Sequence, residues 1–284
     1  MVYSKISGFS DEISRIATAQ FAGLNKLNIQ YFEPRGIGPK NISELDDEEL
    51  ETLKSEMEQY NIKVSSIGSP IGKVKVTDSF EEHFEKYKRV VYIAKKLEAP
   101  YIRIFSFYPE ADDVQWTEST RAEVLSRLKE MIAYAKEQNV VLLHENEKGI
   151  YGDNAERCVD LMKELYCDNF KAVFDPANFV QVGTDTVEAY EQLKDYIEYV
   201  HIKDALSESG KVVPVGYGDG KVECVLRKLF ENGFDGFLSL EPHIRTLDRV
   251  AGLNLDEMIA KLPEGEEACF TLAYWALLDV LDKI

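Results

Sequence analysis

The sequence predicts an α/β protein folded as a single (β/α)8 barrel over residues 1–284. Three observations carry that expectation. Short apolar runs recur eight times, each is followed by a longer charged stretch of helical periodicity, and no linker or low-complexity segment interrupts the alternation. Such a rhythm suits a closed parallel barrel, whose strands are covered on the outside by their connecting helices. A doubly wound open sheet more often uses about five or six such units and a glycine-rich first turn. No GxGxxG or GxxxxGKS/T follows any of the runs.

In chain order the runs are KISGF (5–9), LNIQYFE (27–33), IKVSSIG (62–68), YIRIFSF (101–107), VVLLHE (140–145), KAVFD (171–175), EYVHIKD (198–204) and GFLSLE (236–241). Their starts lie roughly 20 to 40 positions apart, enough for a strand, a helix and two loops. Between them, one helix begins near the capping sequence SELDDEE and continues through LETLKSEMEQY. DSFEEHFEKYKRVVYIAKKLE and TESTRAEVLSRLKEMIAYAKEQ form two more. Each carries apolar residues at helical spacing with charges on the other face. The stretch EEACFTLAYWALLDVLDKI reads as the closing helix, and 244–265 as a loop or short helices over one mouth.

Composition limits the partners. With 33 basic and 51 acidic residues the formal charge is −18, which argues against nucleic acid, because that affinity is mostly cationic neutralisation. No apolar run approaches the roughly 20 residues of a membrane span, and the opening MVYSKISGFS lacks a signal-peptide h-region. The four cysteines, Cys158, Cys167, Cys224 and Cys269, form no CxxC pair. That pattern suits free thiols in a reducing cytoplasm. The expectation is a cytoplasmic protein that meets a small molecule, not nucleic acid or membrane.

Barrels of this kind place their chemistry at the C-terminal ends of the strands. The fifth run ends in LLHENEKG, the sixth in VFDPANF, the seventh in VHIKD and the eighth in LSLEPH. Strand side chains alternate between barrel interior and helix layer. With Leu142, Phe174, Val200, Ile202, Leu238 and Leu240 toward the helices, the opposite parity contains Glu145, Asp175, His201 and Glu241. Three carboxylates converging without a cation would repel one another. One divalent metal resolves the conflict, and mixed oxygen and nitrogen ligation suits manganese, magnesium, cobalt or zinc. Singly, each residue has an ordinary reading as a solvated loop carboxylate or a satisfied core histidine. Four on consecutive strand ends with one parity point to a metal site.

ENEKG, FDPANF, HIKD, GYGDGKV and LSLEPH, in this order and spacing, resemble the xylose isomerase-like TIM-barrel superfamily, and GSPIGK is similar to its sugar isomerase-like members. The group includes ketose 3-epimerases, hydroxypyruvate isomerases, inosose dehydratases and metal-dependent apurinic endonucleases. The resemblance implies Glu145, Asp175, His201 and Glu241 as ligands of a single metal, manganese first. It also implies that Glu145 and Glu241 act as acid and base on opposite sides of a carbohydrate substrate, and that the protein forms a homodimer or homotetramer. The endonuclease branch needs more histidines than His83, His144, His201 and His243 supply, and Asn178 stands where many relatives have His.

The chemistry implied is proton removal beside a metal-bound carbonyl, giving an enediolate. Proton return to the same carbon gives an epimer, and to its neighbour an aldose–ketose pair. A lyase or dehydratase acting on a keto-sugar, inosose or oxidised glycoside is the alternative, and a non-catalytic sugar-binding barrel a third. Further residues are candidates for substrate contact. Lys203 shares the inward parity of His201 and either meets a substrate oxygen or bridges ligand carboxylates. Arg103 points inward, toward a substrate anion or hydroxyl or toward the acidic barrel itself. Glu33 either meets sugar hydroxyls or, slightly favoured, pairs with Arg35. Lys73 reaches over the mouth or is solvated, Glu147 follows Glu145 at the site, and His243 lies at the barrel mouth. His144 is expected in the core, and Asp219 in a loop that fixes the chain near the site.

Overall fold

The computed structural model describes residues 3–111, 116–244, 246–265 and 267–284. Its barrel strands are β1 (Ile6–Gly8), β2 (Tyr31–Phe32), β3 in two pieces (Lys63–Val64 and Ile67–Gly68) and β4 (Tyr101–Ile104). The other four are β5 (Val141–Glu145), β6 (Phe170–Phe174), β7 (Ile197–Ile202) and β8 (Phe237–Leu240). Parallel pairing runs from the second piece of β3 through β4, β5, β6 and β7 to β8, and β8 pairs in parallel with β1. The first piece of β3 pairs with β2. The Glu33 amide then donates to Gly8 O at 2.9 Å and joins β2 to β1. The ring is thereby closed, as a (β/α)8 barrel requires.

Around it lie α1 (Ala17–Lys26), α2 (Asp47–Tyr60), α3 (Phe80–Lys96), α4 (Glu118–Gln138) and α5 (Ala155–Leu165). They are followed by α6 (Pro176–Gln181), α7 (Thr186–Leu193), α8 (Val222–Glu231), α9 (Asp256–Ile259) and α10 (Ala268–Leu281). The long helices start where the sequence supplies caps. Asp46 accepts from Glu49 N while the Glu49 side chain accepts from Asp46 N, and Thr117 accepts from Thr120 N, satisfying amides that have no partner within the helix. Leu50, Leu53 and Met57 are the buried stripe of α2. Among the described residues, no helix is long and apolar enough to cross a membrane.

The two faces of the sheet pack differently. Leu142, Phe174, Val200, Ile202, Leu238 and Leu240 join the helices in the main core. On the other face, Leu143, Val173, Tyr199 and Phe237 form a separate apolar layer inside the barrel. The next inward position along each of those strands, toward its C-terminal end, is polar: Glu145, Asp175, His201 and Ser239, all buried. The barrel thus has an apolar floor and a polar upper storey.

The second and fourth strands are much shorter than their apolar runs. α1 continues to Lys26, and Asn28, at φ 57°, turns the chain, so the run from Leu27 becomes strand only at Tyr31. The run 101–107 leaves the sheet after Ile104. Phe105 N donates to Ile71 O at 2.8 Å, Phe107 N to Gly72 O at 3.0 Å and Tyr108 N to Val74 O at 2.9 Å, zipping this segment onto the GSPIGK loop. Gly72 makes that approach feasible: its φ is +88°, and a Cβ there would lie 2.1 Å from Phe105 O.

Past β7, buried Asp204 accepts the amides of Ala205 (2.9 Å), Gly216 (3.0 Å), Gly218 (3.1 Å) and Gly220 (2.8 Å). The GYGDG loop is fastened by Asp204, whereas Asp219 within it is exposed and accepts from the amide and hydroxyl of Ser207. The stretch after Ile244 holds a 3-10 turn (Leu247–Val250) and α9. Ile244, Val250, Leu255, Cys269 and Leu272 form its own small apolar cluster.

Candidate metal centre

Glu145 is the last residue of β5, and His201 is the penultimate residue of β7. Asp175 follows β6 and caps α6, its Oδ1 accepting from Asn178 N at 3.0 Å, which leaves Oδ2 turned into the barrel. Glu241 follows β8, its amide donating to Ile202 O at 3.2 Å. One ligand atom from each of the four lies within 4.8 Å of the others, and all four residues are buried. His201 Nδ1 is 3.0 Å from Glu145 Oε1, 3.7 Å from Glu241 Oε2 and 4.0 Å from Asp175 Oδ2.

His201 Nδ1 and Asp175 Oδ2 make no hydrogen bond of good geometry, and their near neighbours are charged groups of the cluster itself, Glu145 Oε1 at 3.0 Å and Lys203 Nζ at 2.9 Å. One ligand atom from each of the four residues faces the same buried point, where three carboxylates crowd together. Three carboxylates and one imidazole so arranged fit a divalent cation.

Protein cations already brace the set. Lys203 Nζ lies 2.8 Å from Glu241 Oε2 and 2.9 Å from Asp175 Oδ2. Arg103 donates to Glu145 Oε2 at 2.6 Å, and Arg35 to Glu241 Oε1 at 3.1 Å. Burial opposes ionisation of Glu145 and Glu241. The charges of His201 and Arg103 outweigh it at Glu145, those of Lys203, His243, His201 and Arg35 outweigh it at Glu241, and both carboxyls are held well below the usual range. At Asp175 burial prevails over Lys203, reinforced by the neighbouring carboxylates, and the carboxyl is pushed up to about 7. Burial would lower His201, but Glu145 and Glu33 hold its imidazole well above the ordinary value.

Arg103 and Lys203 thus lie on the ligand carboxylates, each 4% exposed. Lys73 pairs with Glu147 at 2.9 Å and covers the Phe105 ring at 4.3 Å, so the two residues meet each other at the mouth. His243, at φ 50°, stands with Nδ1 3.1 Å from Glu12 Oε1 and Nε2 3.4 Å from Glu241 Oε1. His144 is buried against Ser106 Oγ at 2.9 Å on the helix side. Asn178 donates to Glu145 Oε1 at 3.3 Å and to Asn146 O at 2.8 Å, bracing the ligand strand.

Glu33 corrects the sequence reading. It does not pair with Arg35 and is buried inside the barrel. Its Oε2 accepts from Tyr199 and Ser239 and faces His201 Nε2. Arg35 instead binds Asp11 through two bonds, Glu12 and Glu241. Sequence reasoning missed Arg35, Asp11 and Glu12 as parts of the site. The available signal was a cluster of charges just past the first two strand ends. Arg35, Glu12 and His243, with Arg15, Lys40 and Lys211, line a cleft of about 1280 Å³ that opens beside Glu241.

The chain is thus a closed (β/α)8 barrel with a buried carboxylate–imidazole cluster at its C-terminal mouth. Residues 21–263 match the family model described as xylose isomerase-like TIM barrel, and the chain belongs to that family. It is similar to 3-dehydroshikimate dehydratase of Bacillus anthracis, 22% identical over 163 residues that cover 56% of this chain and 57% of that one. The chain spans about half the length of the curated relatives it matches. Among solved structures, the IOLI protein with a bound zinc atom superposes with TM-score 0.76 at 18% identity, covering 98% of both chains. A D-tagatose 3-epimerase-like protein does so with TM-score 0.73 at 18% identity, covering 98% of this chain and 99% of that one. The likeness to these two structures is one of fold.

Proposed function

We propose that this protein is a metal-dependent sugar or sugar-phosphate isomerase or epimerase working through an enediolate, with Glu145 and Glu241 as its acid/base pair. The observation that carries the reading is the convergence of Glu145, Asp175, His201 and Glu241 within 4.8 Å at the ends of four consecutive strands. In this reading they hold one divalent ion, manganese before magnesium, cobalt or zinc. That ion supplies Lewis-acid polarisation of a substrate carbonyl, which acidifies the adjoining C–H.

The rest falls to the chain. Glu145 comes from β5 and Glu241 from the end of β8, with β6 and β7 between them, so the two carboxylates approach a bound substrate from different sides. Arg103 and Lys203 keep them ionised and able to accept a proton. One removes the proton and the other delivers it; the receiving carbon decides between epimer and isomer. In this reading His243, Lys73 and Glu147 meet the outer substrate hydroxyls, and Lys203 and Arg103 the inner ones. Arg15, Lys40 and Lys211 at the cleft suit a phosphate or carboxylate on the substrate. The reading includes one domain over residues 1–284, a cytoplasmic protein, and assembly as a homodimer or homotetramer.

A dehydratase or lyase is the second reading, supported by the dehydratase among the relatives. It uses the same proton abstraction, but a group beta to the carbanion departs. The test is NMR of a panel of ketoses and keto-sugars in D2O with protein and Mn2+. Deuterium beside the carbonyl with substrate mass otherwise kept supports the isomerase reading, and loss of water supports the lyase. Neither exchange nor elimination with any metal defeats both.

A further inference from the structure

Both nitrogens of the buried His201 ring face carboxylates, but in different ways. Nδ1 points into the ligand cluster, 3.0 Å from Glu145 Oε1 but out of hydrogen-bonding geometry with it. Nε2 lies 3.2 Å from Glu33 Oε2, the same oxygen that accepts from Tyr199 OH at 2.9 Å and Ser239 Oγ at 2.7 Å. Tyr199 is tied in turn to Ser65 Oγ at 2.8 Å, and Ser65 to Ser7 Oγ at 2.6 Å. Every member of this chain is buried in the barrel. Packing alone fixes the plane of the ring: Phe9 and Tyr199 meet it edge-on, with centroids 5.2 and 5.8 Å away.

Glu33 Oε2 accepts from Tyr199 and Ser239 and meets Nε2 with the same oxygen, which favours a proton on Nε2. Nδ1, aimed at the ligand carboxylates, is then the atom left to a cation that would draw Glu145 to itself. Donors from Tyr199 and Ser239 hold the carboxylate where it imposes that choice. We infer that Glu33 is a positioning residue that fixes the tautomer of His201, so that Nδ1 is the ligand atom presented to the metal. The inference rests on the proposed metal site. Glu33 itself touches neither ion nor substrate; it acts through the histidine, as carboxylates behind metal-bound imidazoles do.

The test uses the full chain, 15N-labelled at histidine and loaded with Zn2+, which is diamagnetic. Long-range proton–nitrogen correlation should show a slowly exchanging Nε2–H on His201 with metal on Nδ1. In Glu33→Gln that proton should exchange quickly, and Zn2+ affinity by chelator competition should fall about 10- to 100-fold. Glu33→Asp, which keeps the charge, should recover part of the loss. Should Glu33→Gln not fold, Tyr199→Phe/Ser239→Ala frees the carboxylate without removing it, and a smaller loss of affinity with faster Nε2–H exchange is expected. Unchanged affinity and exchange in the folded variants, or metal on Nε2, overturns the inference. If the unsubstituted chain binds no Zn2+ or Mn2+ by calorimetry, the metal-site reading fails instead, a result distinct from normal binding that ignores Glu33.

Discussion

Lys203 donates to Glu241 Oε2 at 2.8 Å in a pair in which neither side chain is more than 5% exposed. The same ammonium lies 2.9 Å from Asp175 Oδ2. Lys203→Met takes from Asp175 its neighbouring ammonium and from Glu241 one of its cations, and breaking such a buried pair costs about 3 kcal/mol. Denaturant unfolding in EDTA should show that loss, and Mn2+ should recover most of it, because a cation takes over the neutralising task. Equal destabilisation with and without Mn2+ would count against a shared cation site.

Glu145→Gln and Glu241→Gln keep side-chain volume but remove the proton acceptor. Each should lower turnover by about 10²- to 10⁴-fold while the far-ultraviolet dichroism stays unchanged. Solvent deuterium uptake, followed separately from each of two epimeric substrates, is the measurement. In a two-base reaction each variant fails first with a different epimer. Full activity in either variant removes that glutamate from its role.

Protons and a divalent ion compete for the same atoms. Glu145 and Glu33 hold His201 in favour of a proton, against burial, and burial raises Asp175 to about 7. Both groups therefore carry protons more readily as pH falls. Apparent Mn2+ affinity should drop between pH 8 and 6, by about tenfold per unit for each proton displaced. Calorimetry in buffers of different ionisation enthalpy counts those protons; a flat profile without proton release contradicts the arrangement.

Away from the site, burial pushes His83 down to about 4 from 6.5, helped by Lys86 and Arg127, and its Nε2 accepts from Gly72 N at 3.0 Å. Between these values the unfolded chain holds a proton that the folded chain refuses. Stability present above pH 6.5 is therefore lost as pH falls toward 4, by up to about 3 kcal/mol. Urea midpoints at pH 7 and pH 4.5 should differ less in His83→Asn than in the parent. An identical drop would assign the acid sensitivity elsewhere.

Gly72→Ala forces a Cβ to within 2.1 Å of Phe105 O at a φ of +88°. The loop holding Lys73 must then part from the segment after β4. A loss of about 1–3 kcal/mol is expected, with weaker binding of any substrate that Lys73 meets. Thermal melting checks the first, and a melt matching the parent denies the close packing.

The barrel and its four converging residues were legible because a parallel strand writes its geometry into a period of two. Once Leu142, Phe174 and Val200 are set against the helices, Glu145, Asp175 and His201 can only turn inward. Arg35 was not legible in that way. Its partners Asp11, Glu12 and Glu241 come from the ends of two other strands, and no local pattern records which of several acids an arginine reaches. Glu33 escaped for a related reason: its donors Tyr199 and Ser239 are more than 160 residues distant in the chain. The GYGDG loop was recognised, but its anchor lies in Asp204, because the loop's three glycine amides needed one buried acceptor outside the loop.

The apolar layer of Leu143, Val173, Tyr199 and Phe237 makes the barrel a cup instead of a tube. Nothing passes through it, so arriving reactant and departing product share the upper rim. A molecule that lingers there after conversion occupies the berth of the next one. On the proposed reading, a product still seated at that rim competes directly with the next substrate.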